Sequence, residues 1–312
     1  MANDTTNLNN PSLFINRELS QIEFNQRVLA ESFNQDHPLL ERVKFVAIFA
    51  SNIDEIFMVR VSGLKQLVAL GVTDRPPDGL LPREQLVAIY RRITTLVEQE
   101  MESWCTLQEE LEAVGIRVLD YEDLKRSKQK RLADFFEQEI FPVLTPLGFD
   151  PGHPFPHISN LSVNLAVVLR DPENNEAHIA RVKVPNILPR LVPLKPLDPD
   201  DYDIPSKQEF VWLEQVIAAN LERLFPGMEV ISSYPFRVTR NTDMEIQEEE
   251  ADDLLLTIEA NLRRRHFGDV VRLEVEHDMP EQVLNVLIKN LEIGPYDIYT
   301  VNGPVGLSSI MH

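Results

Sequence analysis

The chain is short of the features that would make several chemistries easy. Its single cysteine, Cys105, excludes an internal disulfide. Lying among helix-patterned residues beside Trp104, it reads as a small buried apolar residue. Only 11 glycines occur, and neither G-x-x-x-x-G-K-[ST] nor G-x-G-x-x-G is present, which excludes both common phosphate-cradling loops. No apolar run approaches the roughly eighteen residues of a membrane span. The opening MANDTTNLNNPSLF has neither a basic patch nor an apolar core, so a secretory leader is not expected and the cytoplasm is the expected location. Positive charge is scarce too: 30 Lys and Arg stand against 50 Asp and Glu, a net charge of −20. Bulk electrostatics therefore oppose a general nucleic-acid binder. Any polyanion would have to be held by a focused group of cations.

What is present describes a folded protein. Hydrophobic residues make up 43% and charged residues 26% of 312 positions, enough for two domains of ordinary size. After an Asn-rich tail over about 1–15, Ser20-Gln21-Ile22-Glu23 has the pattern of a capping box. The helix it opens is expected to place Phe24, Val28 and Leu29 on one face and to end near Asp36. Leu39, Val43, Val46, Ala50, Ile53, Phe57, Val61, Leu64 and Val68 form one apolar seam of a long helix, stopped by Gly71 and the Pro76-Pro77 turn. A third helix runs from Pro82 through Ile89, Ile93, Val97, Met101, Trp104 and Leu111 to Gly115. The expectation is a helical domain over 16–115.

Beyond Gly115 the period changes. A short strand at 116–119, a helix near 128–140 and a hairpin of Leu161–Leu169 with Ala180–Val184 are expected. Then come a helix at 213–224, strands near 229–232 and 236–239, a helix at 249–266, a strand at 270–276, a helix at 281–291 and a last strand at 296–301. No internal repeat and no long linker is visible. The fold class is α+β: an N-terminal helical bundle, then an α+β domain over 117–312.

Three motifs invite chemistry. His153-Pro-Phe-Pro-His157 has two imidazoles four apart, a metal spacing only on a helix, which the prolines forbid; a rigid turn is the plainer reading, and a metal hydrolase the weakest alternative. Arg263-Arg264-Arg265 closes a helix that begins with Glu248, Glu249, Glu250, Asp252 and Asp253, the arrangement a helix dipole favours on a solvated face. Ser51-Asn52-Ile53-Asp54-Glu55 interrupts a strongly apolar helix. It is either an interhelical hydrogen-bond network or a polar patch for a ligand with donor and acceptor edges, such as a purine. Arg60 is the nearest cation, able to reach a phosphate or pair with an acid.

FINRELSQIEFNQRVL, FASNIDEIFMVRVSGLKQ, FPVLTPLGFDPGHPFPHISNLSVNLAV, ARVKVPNILPRLVPL, FPGMEVISSYPFRVTRNTDMEI and GDVVRLEVEHDMP, spread over nearly the whole chain, resemble the bacterial polyphosphate kinase family. That resemblance implies an enzyme moving the terminal phosphate of ATP onto inorganic polyphosphate through a phosphohistidine. Residues 16–115 resemble the family's helical domain and 117–312 its head domain, which helps wall a tunnel and dimerise. The catalytic histidine, its partner and the groups around Mg2+ belong to further C-terminal domains; none of the seven histidines here lies in those motifs. No catalytic or metal residue is therefore expected in this chain, and alone it is expected to be inactive. The family asparagine that touches the ATP base matches Asn52. Expected partners are ATP, ADP, polyphosphate and further copies of the chain as a dimer or tetramer. A non-enzymatic interaction or dimerisation module of the same architecture is the alternative.

Overall fold

The computed structural model describes residues 10–149, 155–195, 207–241 and 268–311. Asn16 starts the first helix, its Oδ1 accepting the amide of Leu19 at 2.9 Å. This corrects the Ser20 capping box: Ser20 lies inside α1 (Arg17–Ala30), its amide already bonded to the Asn16 carbonyl. The buried face is Ile22, Asn25 and Leu29, whereas Phe24 is exposed. α1 also stops earlier than Asp36, because the Ser32 hydroxyl takes the Leu29 carbonyl and turns follow.

α2 (Leu39–Glu55), a π-helical stretch (Ile56–Val61) and α3 (Ser62–Ala69) form one continuous helical rod. The predicted seam is buried from Val46 to Leu64, but Val68 is exposed. The Ser62 hydroxyl accompanies the π stretch, bonding the carbonyls of Met58 and Val59 at 2.8 and 2.9 Å. α4 (Pro82–Ala113) packs on both, with Ile89, Ile93, Val97, Met101, Trp104 and Leu111 inward. Cys105 is exposed, against expectation. One residue past Trp104 is about 100° further round the helix, which turns its thiol off the seam.

β1 (Ile116–Val118) runs parallel to β6 (Gln208–Trp212), which pairs antiparallel with β5 (Leu191–Pro193). The larger sheet has the order β2 (Leu147–Phe149), β4 (Ala177–Lys183), β3 (Val163–Arg170), β7 (Glu229–Arg240), β8 (Val270–Glu276), β9 (Ile298–Val301). The expected hairpin is β3–β4, with Val167 opposite Ala180 and Asn175 at φ 59° in its turn. The two strand candidates near 229 and 236 are one twelve-residue strand, β7. Pro235 is tolerated in mid-strand because the β8 ladder begins only at Phe236, so no bond is asked of its missing amide there. α5 (Arg126–Phe135) and α6 (Leu213–Ala218) are shorter than expected, continuing as π and 3-10 turns. α7 (Glu281–Leu291) links β8 to the parallel β9, the crossover a parallel pair requires. The predicted helix at 249–266, its three arginines and His153 lie outside the described residues.

Alternation gives the large sheet two covered faces. Ala166, Phe236, Val238, Leu273 and Val275 meet α7 through Val283, Leu287 and Leu291. Leu165, Val167 and Val182 on the other face meet Phe136 and Ile140, beyond α5, and Val216 of α6. At the β8–β9 end the helical bundle takes over that role. One core joins Val46, Phe49, Ile53, Phe57, Ile93 and Trp104 to Trp212, Val271, Tyr299, Val301, Val305 and Leu307. The helices therefore close their hydrophobic seam on the sheet rather than only on each other.

Candidate functional site

The polar interruption in α2 splits by helical geometry. Ser51 and Glu55 are exposed, Asn52 is half-buried, and Asp54 turns inward. Asn52 Nδ2 donates to Asn25 Oδ1 on α1 at 2.8 Å, and Asn25 Nδ2 donates to the Gln21 carbonyl at 3.0 Å. The second bond fixes the first: Asn25 must point its amide nitrogen at Gln21, so its oxygen faces Asn52. The interhelical network weighed from sequence is thus present. It also leaves Asn52 with a carbonyl oxygen that accepts no hydrogen bond among the described residues. An amide presenting a free acceptor beside a second N–H matches the donor and acceptor edge of adenine. Arg60 is not directed at that amide; its Nε lies 3.9 Å from Glu18 Oε2.

Asp54 has a different task. Arg237 of β7 grips both its oxygens, at 2.8 and 2.5 Å, and reaches Glu274 of β8 at 2.5 Å. Arg272, also on β8, bridges Asp54 at 3.3 Å and Glu274 at 2.6 Å. Its guanidinium lies over the Phe57 ring at 4.9 Å and near Tyr299 at 5.6 Å. Every member is buried. Burial opposes the charge of Arg237, yet the facing Asp54 and Glu274 outweigh it and hold its pKa above the ordinary value. Glu100 of α4 faces this cluster with one carboxyl oxygen lacking a partner among the described residues. Burial chiefly pushes its pKa up to about 8; Glu274 and Asp54 add to the rise while Arg272 and Arg237 oppose it.

A second cationic group, missed from sequence, gathers around the segment before β3. Arg181 Nε donates to Asn164 Oδ1 at 2.7 Å, and Lys183 Nζ meets Ser159 Oγ at 3.2 Å. Arg240 donates to the carbonyls of Ile158 and Gly268, each at 2.7 Å. His157 is exposed at the edge; partial burial of its ring, then Arg240, Arg181 and Lys183, pull its pKa down to about 4. Three cations around an imidazole make a poor home for a metal ion. The signal for this group was the R-V-K-V alternation, which puts Arg181 and Lys183 on one strand face. Among the described residues, no set of three His, Cys, Asp or Glu side chains could hold a metal. No helix there is long and apolar enough to cross a membrane.

Comparison with known proteins decides the family. The model of the polyphosphate kinase N-terminal domain matches residues 14–119, and that of the polyphosphate kinase middle domain matches 127–312. The chain belongs to the polyphosphate kinase family. The polyphosphate kinase of Prosthecochloris aestuarii is 48% identical over 304 residues, covering 97% of this chain and 42% of that relative. Polyphosphate kinase 1 of Chlorobaculum tepidum is 47% identical, covering 97% and 44%. The crystal structure of polyphosphate kinase from Porphyromonas gingivalis superposes with a TM-score of 0.76 at 28% identity, covering 96% of this chain and 40% of that one. The chain thus spans about two fifths of the length of the relatives it matches.

Proposed function

We propose that this chain supplies the N-terminal and middle domains of a phosphotransferase that reversibly moves the terminal phosphate of ATP onto inorganic polyphosphate through a phosphohistidine. The observation that carries the reading is the Asn52 amide, oriented by Asn25 with its carbonyl oxygen left for a ligand, in a chain of this family. Asn52 contacts the adenine; α1 and α2 hold it rigidly enough that little ordering is required on binding. The sheet domain supports the phosphate path and the contacts of a homo-oligomer in the cytoplasm. The histidine that takes the phosphate, and the Mg2+ ligands, belong on this reading to other domains of the enzyme. The buried acids here fit no Mg2+ role, since Asp54 and Glu274 are already engaged by Arg237 and Arg272.

The test is steady-state kinetics of a polyphosphate kinase that carries these two domains. Asn52→Ala raises the Michaelis constant for ATP by roughly 2- to 12-fold, the equivalent of about 0.5–1.5 kcal/mol for one net hydrogen bond. An unchanged constant with a lowered melting temperature would leave Asn52 only its bond to Asn25.

A further inference from the structure

Arg181, Lys183 and Arg240 are an oddity in a protein of charge −20. Among the described residues, none of the three forms an ion pair with a carboxylate. Asp269 raises the pKa of Arg240, but burial outweighs it and the net shift is downward. Arg181 is only 7% exposed, and burial lowers its pKa as well. Buried charges are ordinarily paired, because an isolated one forfeits its hydration. Among the described residues, no carboxylate side chain neutralises these three cations.

We propose that Arg181, Lys183 and Arg240 form a binding site for a phosphate chain on the α7 face of the large sheet, beside the His157–Ser162 segment. β4 and β7 flank β3, so Lys183 and Arg240 stand two strands apart, about 10 Å across the sheet, and Arg240 lies four residues further along β7 than Phe236, the residue level with Asn164 and Lys183. That spread exceeds one phosphate group and suits a row of them. Guanidinium forks and an ammonium are the donors that match phosphate oxygens, and each is anchored on one side by the bonds to Asn164, Ser159, Ile158 and Gly268. Anchoring fixes the donors in place before a ligand arrives. The exposed His157 and half-buried Lys183 and Arg240 leave the site open to solvent. Three clustered cations in an acidic protein also focus the field locally, as any polyanion held by this chain requires. This assignment rests on the function proposed above, of which it names the site for the chain-like substrate.

The test is direct titration of the 312-residue chain with inorganic polyphosphate, orthophosphate and ATP, each at low and raised salt. Polyphosphate binds, weakens as salt rises, and is lost by about 3- to 10-fold in Lys183→Gln and by more than 10-fold in Lys183→Glu. Orthophosphate binding is far weaker, and ATP binding does not respond to either substitution. Arg181→Gln behaves like Lys183→Gln; if loss of the bond to Asn164 unfolds it, the Lys183 pair still decides, since among the described residues the Lys183 side chain bonds only Ser159. Polyphosphate affinity unchanged in Lys183→Glu overturns the site, as does failure of the unaltered chain to bind polyphosphate. Equal loss of ATP binding would assign the cations to the nucleotide and overturn it too. The adenine reading fails by a separate result, an ATP Michaelis constant indifferent to Asn52→Ala.

Discussion

At the junction of helices and sheet, two carboxylates, Asp54 and Glu274, face two guanidiniums, Arg237 and Arg272, and Glu100 is the fifth ionisable group. Four charges cancel; a fifth would leave the pocket net negative. Burial above all, with Glu274 and Asp54 adding to it against Arg272 and Arg237, pushes the Glu100 pKa up to about 8, so it stays protonated well above the ordinary carboxylate range. A carboxyl whose folded pKa is raised favours the fold fully below its unfolded pKa, and that contribution is lost as pH rises toward the folded value. Stability should accordingly fall between about pH 5 and pH 8. Glu276, pushed by burial and then by Asp278 and Glu214 to about 7, falls in the same direction. Glu100→Gln keeps the shape and removes one of the two contributions. Its melting temperature should exceed that of the unaltered chain by about 2–4 °C or more at pH 9, for roughly 1 kcal/mol, and match it at pH 5. Parallel decline of both proteins across that range would remove Glu100 from the account.

The elements that sequence periodicity revealed are those whose partners are local or whose faces are cleanly sorted. The seam of α2 and α3, the seam of α4, the β3–β4 hairpin, β8 and α7 all declare themselves by spacing. What stayed hidden depends on residues distant in the chain. Pro235 reads as a break between two strands, since nothing local says that the β8 ladder begins one residue later. The Ser20 pattern satisfies a capping box locally, whereas the residue that caps the helix, Asn16, is held in place by Asp78, 62 positions away, at 2.7 Å. Asn52 was legible as an anomaly, but its partner Asn25 was not, and neither was the task of Asp54 two positions on.

The segment after β9 shows such dependence at a single glycine. Gly306 has φ +65°, and a Cβ there would lie 2.6 Å from Arg237 Cδ. Arg237 cannot yield, being pinned by Asp54 and Glu274, while Arg190 holds the Gly306 carbonyl at 2.7 Å. Gly71 has a similar φ of +68° with nothing within 4 Å. Gly71→Ala should cost only the backbone penalty of about 1–2 kcal/mol. Gly306→Ala should cost at least ~1 kcal/mol more in urea unfolding, the overpacking contribution. Equal losses would mean that Arg237 moves aside freely.

At the scale of the whole molecule, the helical part and the sheet part share one hydrophobic core and one buried charge cluster. A boundary near Gly115 is a change of pattern along the chain, but the packing runs across it. The two tryptophans report on that junction directly: Trp104 of α4 and Trp212 of β6 lie 6.1 Å apart, with Arg190 over the second ring at 4.8 Å. Opening the interface wets both rings, and melting the helices removes most of the far-UV signal. With a core in common, the two signals should fall at the same denaturant concentration, as in a cooperative two-state transition. Asp54→Asn leaves Arg237 and Arg272 buried against one carboxylate instead of two. Breaking a buried pair in this way costs about 3–5 kcal/mol, and both curves should move down together by that amount. If tryptophan emission in Asp54→Asn changed well before the far-UV signal, the charge cluster would be a latch between two independently stable units. Coincident curves would instead make Asp54 a member of a single folding unit, so that the helix presenting Asn52 and the sheet carrying Arg181, Lys183 and Arg240 hold their relative positions as long as the chain is folded at all.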